Sequence, residues 1–207
     1  MMRARSIPIL VLSLLLVTLR GELVRAQQHQ GGAAPTARPA SMAPGEAEQF
    51  AFLVGSFEVT VMPKVNSLAA RIHGQPKLLG TWKGWRAFDG FGIEDELRII
   101  DASGNPASLT HTMRLFDAAQ GKWTQTTLDV YRGRFTTANG TFRGGEVVLR
   151  GASRDPEGKP VISRVRFYDI TATGFKSQTD RSYDGERTWD EAVIRIEATR
   201  VSASAPR

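Results

Sequence analysis

The stretch FGIEDELRIIDASGNPASLTHTMRL, Phe91–Leu115, decides how this chain is read. Phe91, Ile93, Leu97 and Ile99 alternate with Gly92, Glu94, Glu96 and Arg98. After Ser103-Gly104-Asn105-Pro106, Leu109, Met113 and Leu115 alternate with Thr110, Thr112 and Arg114. A period of two puts successive side chains on opposite faces of an extended strand. Turn residues between two such runs make a tight connection, so the stretch reads as two adjacent antiparallel strands.

The pattern continues outward in both directions. Upstream lie Phe57-Val59-Val61, set among Glu58 and Thr60, and Leu78 to Phe88. Downstream come Trp123 to Tyr131, Glu146 to Arg150, Val161 to Tyr168, Phe175 to Tyr183 and Ala192 to Ala198. Asp89-Gly90, Asp117 to Gly121, Asn139-Gly140, Asp155 to Gly158 and Asp184-Gly185 supply turn signals between them. The expected fold is all-β, an antiparallel up-and-down meander of nine to ten strands closing into a barrel, which removes exposed sheet edges. A sandwich is the alternative. One short helix is expected before the strands, at Glu46 to Val54, with Phe50, Leu53 and Val54 on one face.

The N-terminus reads as an export signal. Arg3 and Arg5 precede an apolar run from Ile7 to Leu19, and Val24-Arg25-Ala26 places small residues for cleavage before Gln27. The apolar run falls short of the roughly twenty residues that a membrane-spanning helix needs. The expected organisation is a signal peptide at 1–26, a flexible Gln/Gly/Ala/Pro linker at 27–45, a barrel domain at 46–201 and a disordered tail at 202–207. The expected location is secreted or periplasmic, with no membrane span after cleavage. Removing the signal takes away four arginines and one glutamate, and the formal charge falls from +6 to +3. The remaining basic residues are interspersed with acidic ones, so no nucleic-acid partner is expected. The chain has no cysteine, which excludes disulfides, zinc–thiolate sites and a thiol nucleophile. Nothing in the sequence fixes an oligomeric state.

Several motifs, taken in order, resemble a known family. They are Phe50-x-Phe52-Leu53-Val54-Gly55-Ser56-Phe57, Gly80-Thr81-Trp82, the hairpin Leu115-Phe116-Asp117-Ala118-Ala119-Gln120-Gly121-Lys122-Trp123, Phe167-Tyr168-Asp169-Ile170-Thr171 and Ile196-Glu197-Ala198-Thr199-Arg200. Across residues 48–201 the chain resembles the uncharacterised bacterial lipocalin-like domains, related in shape to nitrobindins and fatty-acid-binding proteins. The resemblance implies a closed or half-open barrel with an interior cavity, and it brings no catalytic residues. The nitrobindin relatives imply a haem held by a histidine late in the barrel. No histidine follows His111 here, so no cofactor is expected. His73 and His111 are too few and too far apart for zinc, so no metal is expected either.

Candidate ligand-binding residues follow from strand parity. Trp82 and Trp85 stand on opposite faces of one strand, one as a cavity wall or both as packing aromatics. His111 shares a face with Leu109 and Met113, as a cavity imidazole or a satisfied core histidine. Asp95 shares a face with Ile93 and Leu97. It is either paired with Arg114, Arg166 or Arg181, or an acid of raised pKa in a cavity, or turned to solvent by a bulge. A polar interior set of Arg166, Tyr168, Gln178 and Tyr131 suits an amphipathic ligand with an anionic head, unless that parity faces solvent. Ser182 to Trp189 is similar to the Ser-x-Asp-x-Gly-x-Thr-Trp turn of sialidase propellers and reads as a structural turn, since it occurs once. The leading expectation is a binder of a small apolar or amphipathic molecule. The others are an interaction protein with a filled barrel, and an enzyme using His111 and Asp95 as acid and base.

Overall fold

The computed structural model describes residues 42–66, 68–74, 76–155 and 157–201. The signal, most of the linker and the tail therefore lie outside the described residues. Ten strands make up the barrel: β1 (Gly55–Pro63), β2 (Leu78–Ala87), β3 (Gly92–Ile100), β4 (Pro106–Asp117), β5 (Lys122–Asp129), β6 (Arg134–Arg143), β7 (Glu146–Arg154), β8 (Pro160–Thr171), β9 (Gly174–Ser182) and β10 (Asp190–Arg200). Each pairs antiparallel with its sequence neighbours, and β1 pairs with β10 to close the ring. The closed hydrogen-bonded circle excludes the sandwich, and the architecture is the up-and-down lipocalin-like barrel read from the alternation.

Strand β6 carries few apolar residues on either face, and its Asn139-Gly140 lies inside the strand rather than at a turn. The expectation of a turn there is corrected: the turns fall at 130–133 and at Gly144-Gly145. Gly140 sits opposite Leu149, and a Cβ on it would strike the Val148 carbonyl and the Leu149 Cα. Close backbone approach, not turn chemistry, accounts for this glycine.

The helix before the barrel is a 3-10 helix at Gly45–Leu53, one residue ahead of the expected position. It plugs the end of the barrel where β1 begins. Phe50 and Leu53 are fully buried, and Phe50 meets Trp123 edge-on with ring centroids 4.6 Å apart. Its last carbonyls have no partners within the helix. Arg200 at the end of β10 supplies them, donating from Nη1 to the Val54 carbonyl at 2.6 Å and from Nη2 to that of Phe52 at 3.2 Å. Arg86 and Glu48 form a two-point ion pair at 2.7 Å, and Trp123 Nε1 donates to Gln49 Oε1 at 2.9 Å. Burial of Phe50 and Leu53 contributes about 1.5–3 kcal/mol each. A second helix, α1 (Leu68–His73), stands in the β1–β2 connection, which reads as a polar loop in the sequence.

Candidate functional site

Register separates inside from outside. Side chains directly opposite one another on antiparallel strands share a face. Phe57 pairs with Trp82, Trp82 with Leu97, Asp95 with Thr112 and Thr112 with Thr127, so these residues point into the barrel. Around the ring, Ala138, Leu149, Val165, Thr179 and Ile194 continue the same face.

The interior has two halves. On the plugged half the inward side chains are sealed: Phe57, Ile93, Trp123, Val147 and Phe167 are all at most 2% exposed. At the other end the barrel is open. There the inward residues Leu97, Ile99, Thr110, Thr127, Val165 and Thr179 keep partial contact with solvent. This half is partly filled, since inward Val61 and Val161 are buried and Leu97, Ile99, Val165 and Ile194 pack against the core; its partly exposed side chains form a cup. Its wall mixes aliphatic side chains with threonine hydroxyls, a lining suited to a molecule with both apolar and hydrogen-bonding parts.

The cup's floor is a polar network set on the aromatic plug. Asp95 and Arg114, 1% and 2% exposed, are in direct ionic contact. Trp82 Nε1 donates to Asp95 Oδ1 at 2.9 Å, and Arg114 Nε donates to Gln125 Oε1 at 2.9 Å. Gln125 Nε2 donates to Thr127 Oγ1 at 3.2 Å, and the Thr112 and Thr127 hydroxyls lie 3.1 Å apart. The Arg114 guanidinium lies over the rings of Phe50 and Phe167, at 5.3 and 5.7 Å from their centroids. Burial pushes this guanidinium down to about 9, still cationic at neutral pH, and the touching carboxylate favours its charged form.

The residues singled out from the sequence do not form one site. Trp82 and Asp95 point inward but are sealed in the floor, and Arg114 is the partner of Asp95. Trp85 and His111 are on the outer wall, correcting the placement of His111 in a cavity. His111 pairs with Glu96 in the register, and Thr112, not His111, faces Asp95. His111 Nε2 lies 3.7 Å from Glu94 Oε2, which also accepts from Trp85 Nε1 at 3.2 Å. His111 and Asp95 therefore occupy opposite faces of the barrel wall, and the acid/base pair does not form. Arg166 and Gln178 pair with each other on the outer face, and Tyr131 lies at the tip of the β5–β6 hairpin, 48% exposed. The interior polar set is corrected accordingly.

The cup-lining Thr110, Thr127, Gln125 and Thr179 escape sequence reasoning. Their one sequence signal is the need of Asp95 for a cation. Choosing Arg114 on the next strand fixes the parity of β4 and turns Thr110 and Thr112 inward.

The outer wall of β8–β10 holds a second buried carboxylate, Asp180, which is fully buried. A bulge in β10 between Asp190 and Ile194 frees the Ala192 N–H, which donates to Asp180 Oδ1 at 2.8 Å. Gln178 Nε2 donates to the same oxygen at 2.7 Å, and Arg164 Nε to Oδ2 at 2.9 Å. Burial alone raises the Asp180 carboxyl, but these donors outweigh it and hold it below the usual range. Arg164 in turn stacks on Trp189, 4.2 Å from the ring centroid. In the adjoining turn, Asp184 accepts from Thr188 and Ser182, which hold its carboxyl well below the usual range. The segment Ser182 to Trp189 is thus a structural turn.

Among the described residues no group of three or more His, Asp or Glu is gathered as a metal would need, and no helix is long and apolar enough to cross a membrane. No family model and no curated protein matches the sequence. Among solved structures the chain is similar to one described as EF1p2_mFAP2b bound to DFHBI, at 10% identity and a TM-score of 0.39, covering 75% of this chain and 98% of that one. The class is set by this chain's own strand pairing: a ten-strand calycin-like barrel, plugged at one end and open at the other.

Proposed function

We propose that this chain is an exported, lipocalin-like binding protein that takes a small apolar or amphipathic molecule into the open half of its barrel. One observation carries this reading: inward-facing side chains in mid-strand remain partly accessible beyond the sealed floor. The apolar share of the lining, Leu97, Ile99, Val165 and Ile194, favours a hydrocarbon or aromatic body. Thr110, Thr127, Thr179 and the Gln125 amide favour one or two polar groups on it. The export reading rests on the 1–26 segment, and membership of the bacterial lipocalin-like domains rests on the motif order given above. Chemistry on the ligand is not part of the proposal, because the two groups suited to acid/base work stand on opposite faces of the wall.

The test is native mass spectrometry of the processed protein purified from its own host, with identification of whatever leaves on denaturation. A stoichiometric small molecule that is lost in a Thr110→Phe variant supports carriage in the cup. A clean unliganded mass, with no saturable uptake of an apolar fluorescent dye, overturns it.

A further inference from the structure

A second region of the barrel also has the makings of a binding site. Arg195 on β10 and Arg166 on β8 flank Gln178 on β9 in one register row of the outer wall. Neighbouring strands lie about 4.8 Å apart, so the two arginine Cα atoms are separated by roughly 10 Å. Gln178 itself is nearly buried, and its amide is already committed to Asp180.

The cations in this row lack protein counterions. Arg164, one position along β8, is taken up by Asp180 and Trp189, whereas Arg166 makes no ion pair among the described residues. Its Nε–H is buried without an acceptor, and its guanidinium has only the Tyr168 ring near it, at 5.7 Å.

Arg195 also lines a recess of about 510 Å³ on the same outer wall, beside the mouth. Met62, Pro63 and Ala192 form its apolar base, and Lys77, His73 and Lys64 stand around it. Lys64 is engaged with Asp190 at 2.7 Å. Glu191, the acidic side chain in the lining, lies 3.8 Å from Arg164. Arg195, Lys77 and His73 have no side-chain partner among the described residues. Cationic groups therefore outnumber anionic ones in the recess.

We infer that this outer recess binds an oxyanion of the phosphate type, held by Arg195 and Lys77 with His73 as a further N–H donor. The site is separate from the cup and does not depend on a ligand being carried there. The same chemistry is offered by free inorganic phosphate and by a phospholipid headgroup.

Thermal unfolding of the processed protein in inorganic phosphate, against chloride at equal ionic strength, reads the site directly. Binding to the folded state raises the melting temperature with phosphate concentration. Arg195→Gln, an exposed change that leaves the fold intact, is expected to weaken the response about tenfold, as is Lys77→Gln, whereas Arg166→Gln, outside the recess lining, is expected to leave it as it was. Lys83→Gln, at the plugged end of β2 away from the recess, is expected to leave it unchanged. Co-sedimentation with phosphatidylglycerol vesicles, against phosphatidylcholine alone, separates the sources. Vesicle binding that phosphate displaces and Arg195→Gln abolishes points to a headgroup. A phosphate response without vesicle binding points to a free oxyanion. A response absent beyond ionic strength, or one that survives in both Arg195→Gln and Lys77→Gln, overturns the inference.

Discussion

Asp95 and Arg114 touch across two neighbouring strands at a level of the barrel that water does not reach. Each is the other's main compensation for leaving solvent, so removing one strands the other. Asp95→Leu or Arg114→Met alone is expected to cost about 3–5 kcal/mol of stability. The double replacement is expected to cost far less than the sum, because no uncompensated charge remains. Urea unfolding of the three variants completes a double-mutant cycle, and additive costs would show that the pair is not coupled.

The plug makes a separate prediction. Phe50 fills the sealed end against Trp123, Phe167 and Arg114. Phe50→Ala is expected to destabilise by about 3–5 kcal/mol, since packed strands on every side have little room to close the gap. Arg200→Gln removes the donors for the Val54 and Phe52 carbonyls and is expected to raise amide exchange in the plug helix more than in β1. Equal protection in the two proteins would mean that the plug holds by apolar contact alone.

Acid should act through Asp180. Its folded-state pKa is held below the ordinary carboxylate value, so the stability it contributes is full above that ordinary value and is lost as pH falls through the folded one. The stability gap between the native protein and Asp180→Asn is therefore widest near neutral pH and narrows below about pH 4. Denaturant midpoints taken from pH 7 to strongly acid solution check this, and a gap that does not change with pH would remove Asp180 from the account.

Cup and outer wall respond differently to substitution. Thr110→Phe places a ring among the partly exposed inward side chains of the open half and is expected to abolish uptake of an apolar dye with a stability change of less than about 1 kcal/mol. His111→Ala removes a side chain of the opposite face, its ring centroid 5.7 Å from that of Trp85, and is expected to leave dye binding as it was. Dye titrations on both variants decide the point, and loss of binding in His111→Ala would mean that the cup is not where the dye goes.

The strand alternation is legible in the sequence because most strands keep one face richer in apolar residues. Which face points inward is not legible from that richness. In β4 the outward set is Leu109, His111, Met113 and Leu115, while Thr110, Thr112 and Arg114 point inward. The more apolar parity is the outer one, reversed by the pairing of Asp95 with Arg114 and by an open cup that tolerates threonine. Arg166 and Gln178 mislead for a related reason. Strands β8 and β9 carry polar residues on both parities, so neither face stands out as the inner one. Strand β6 is hidden because Thr136, Thr137 and Asn139 carry no hydrophobic alternation at all.

The seam between β1 and β10 also fixes when the molecule becomes whole. Arg200 reaches back 146 residues to the carbonyl of Val54, and Phe57 lies opposite Arg200 itself. Hairpins along the way form from neighbours as they emerge, but neither the ring nor the plug has its final partner until the last strand is synthesised. A chain still being made is therefore an open ribbon with two unpaired edges, and folding waits on one late, long-range joining step.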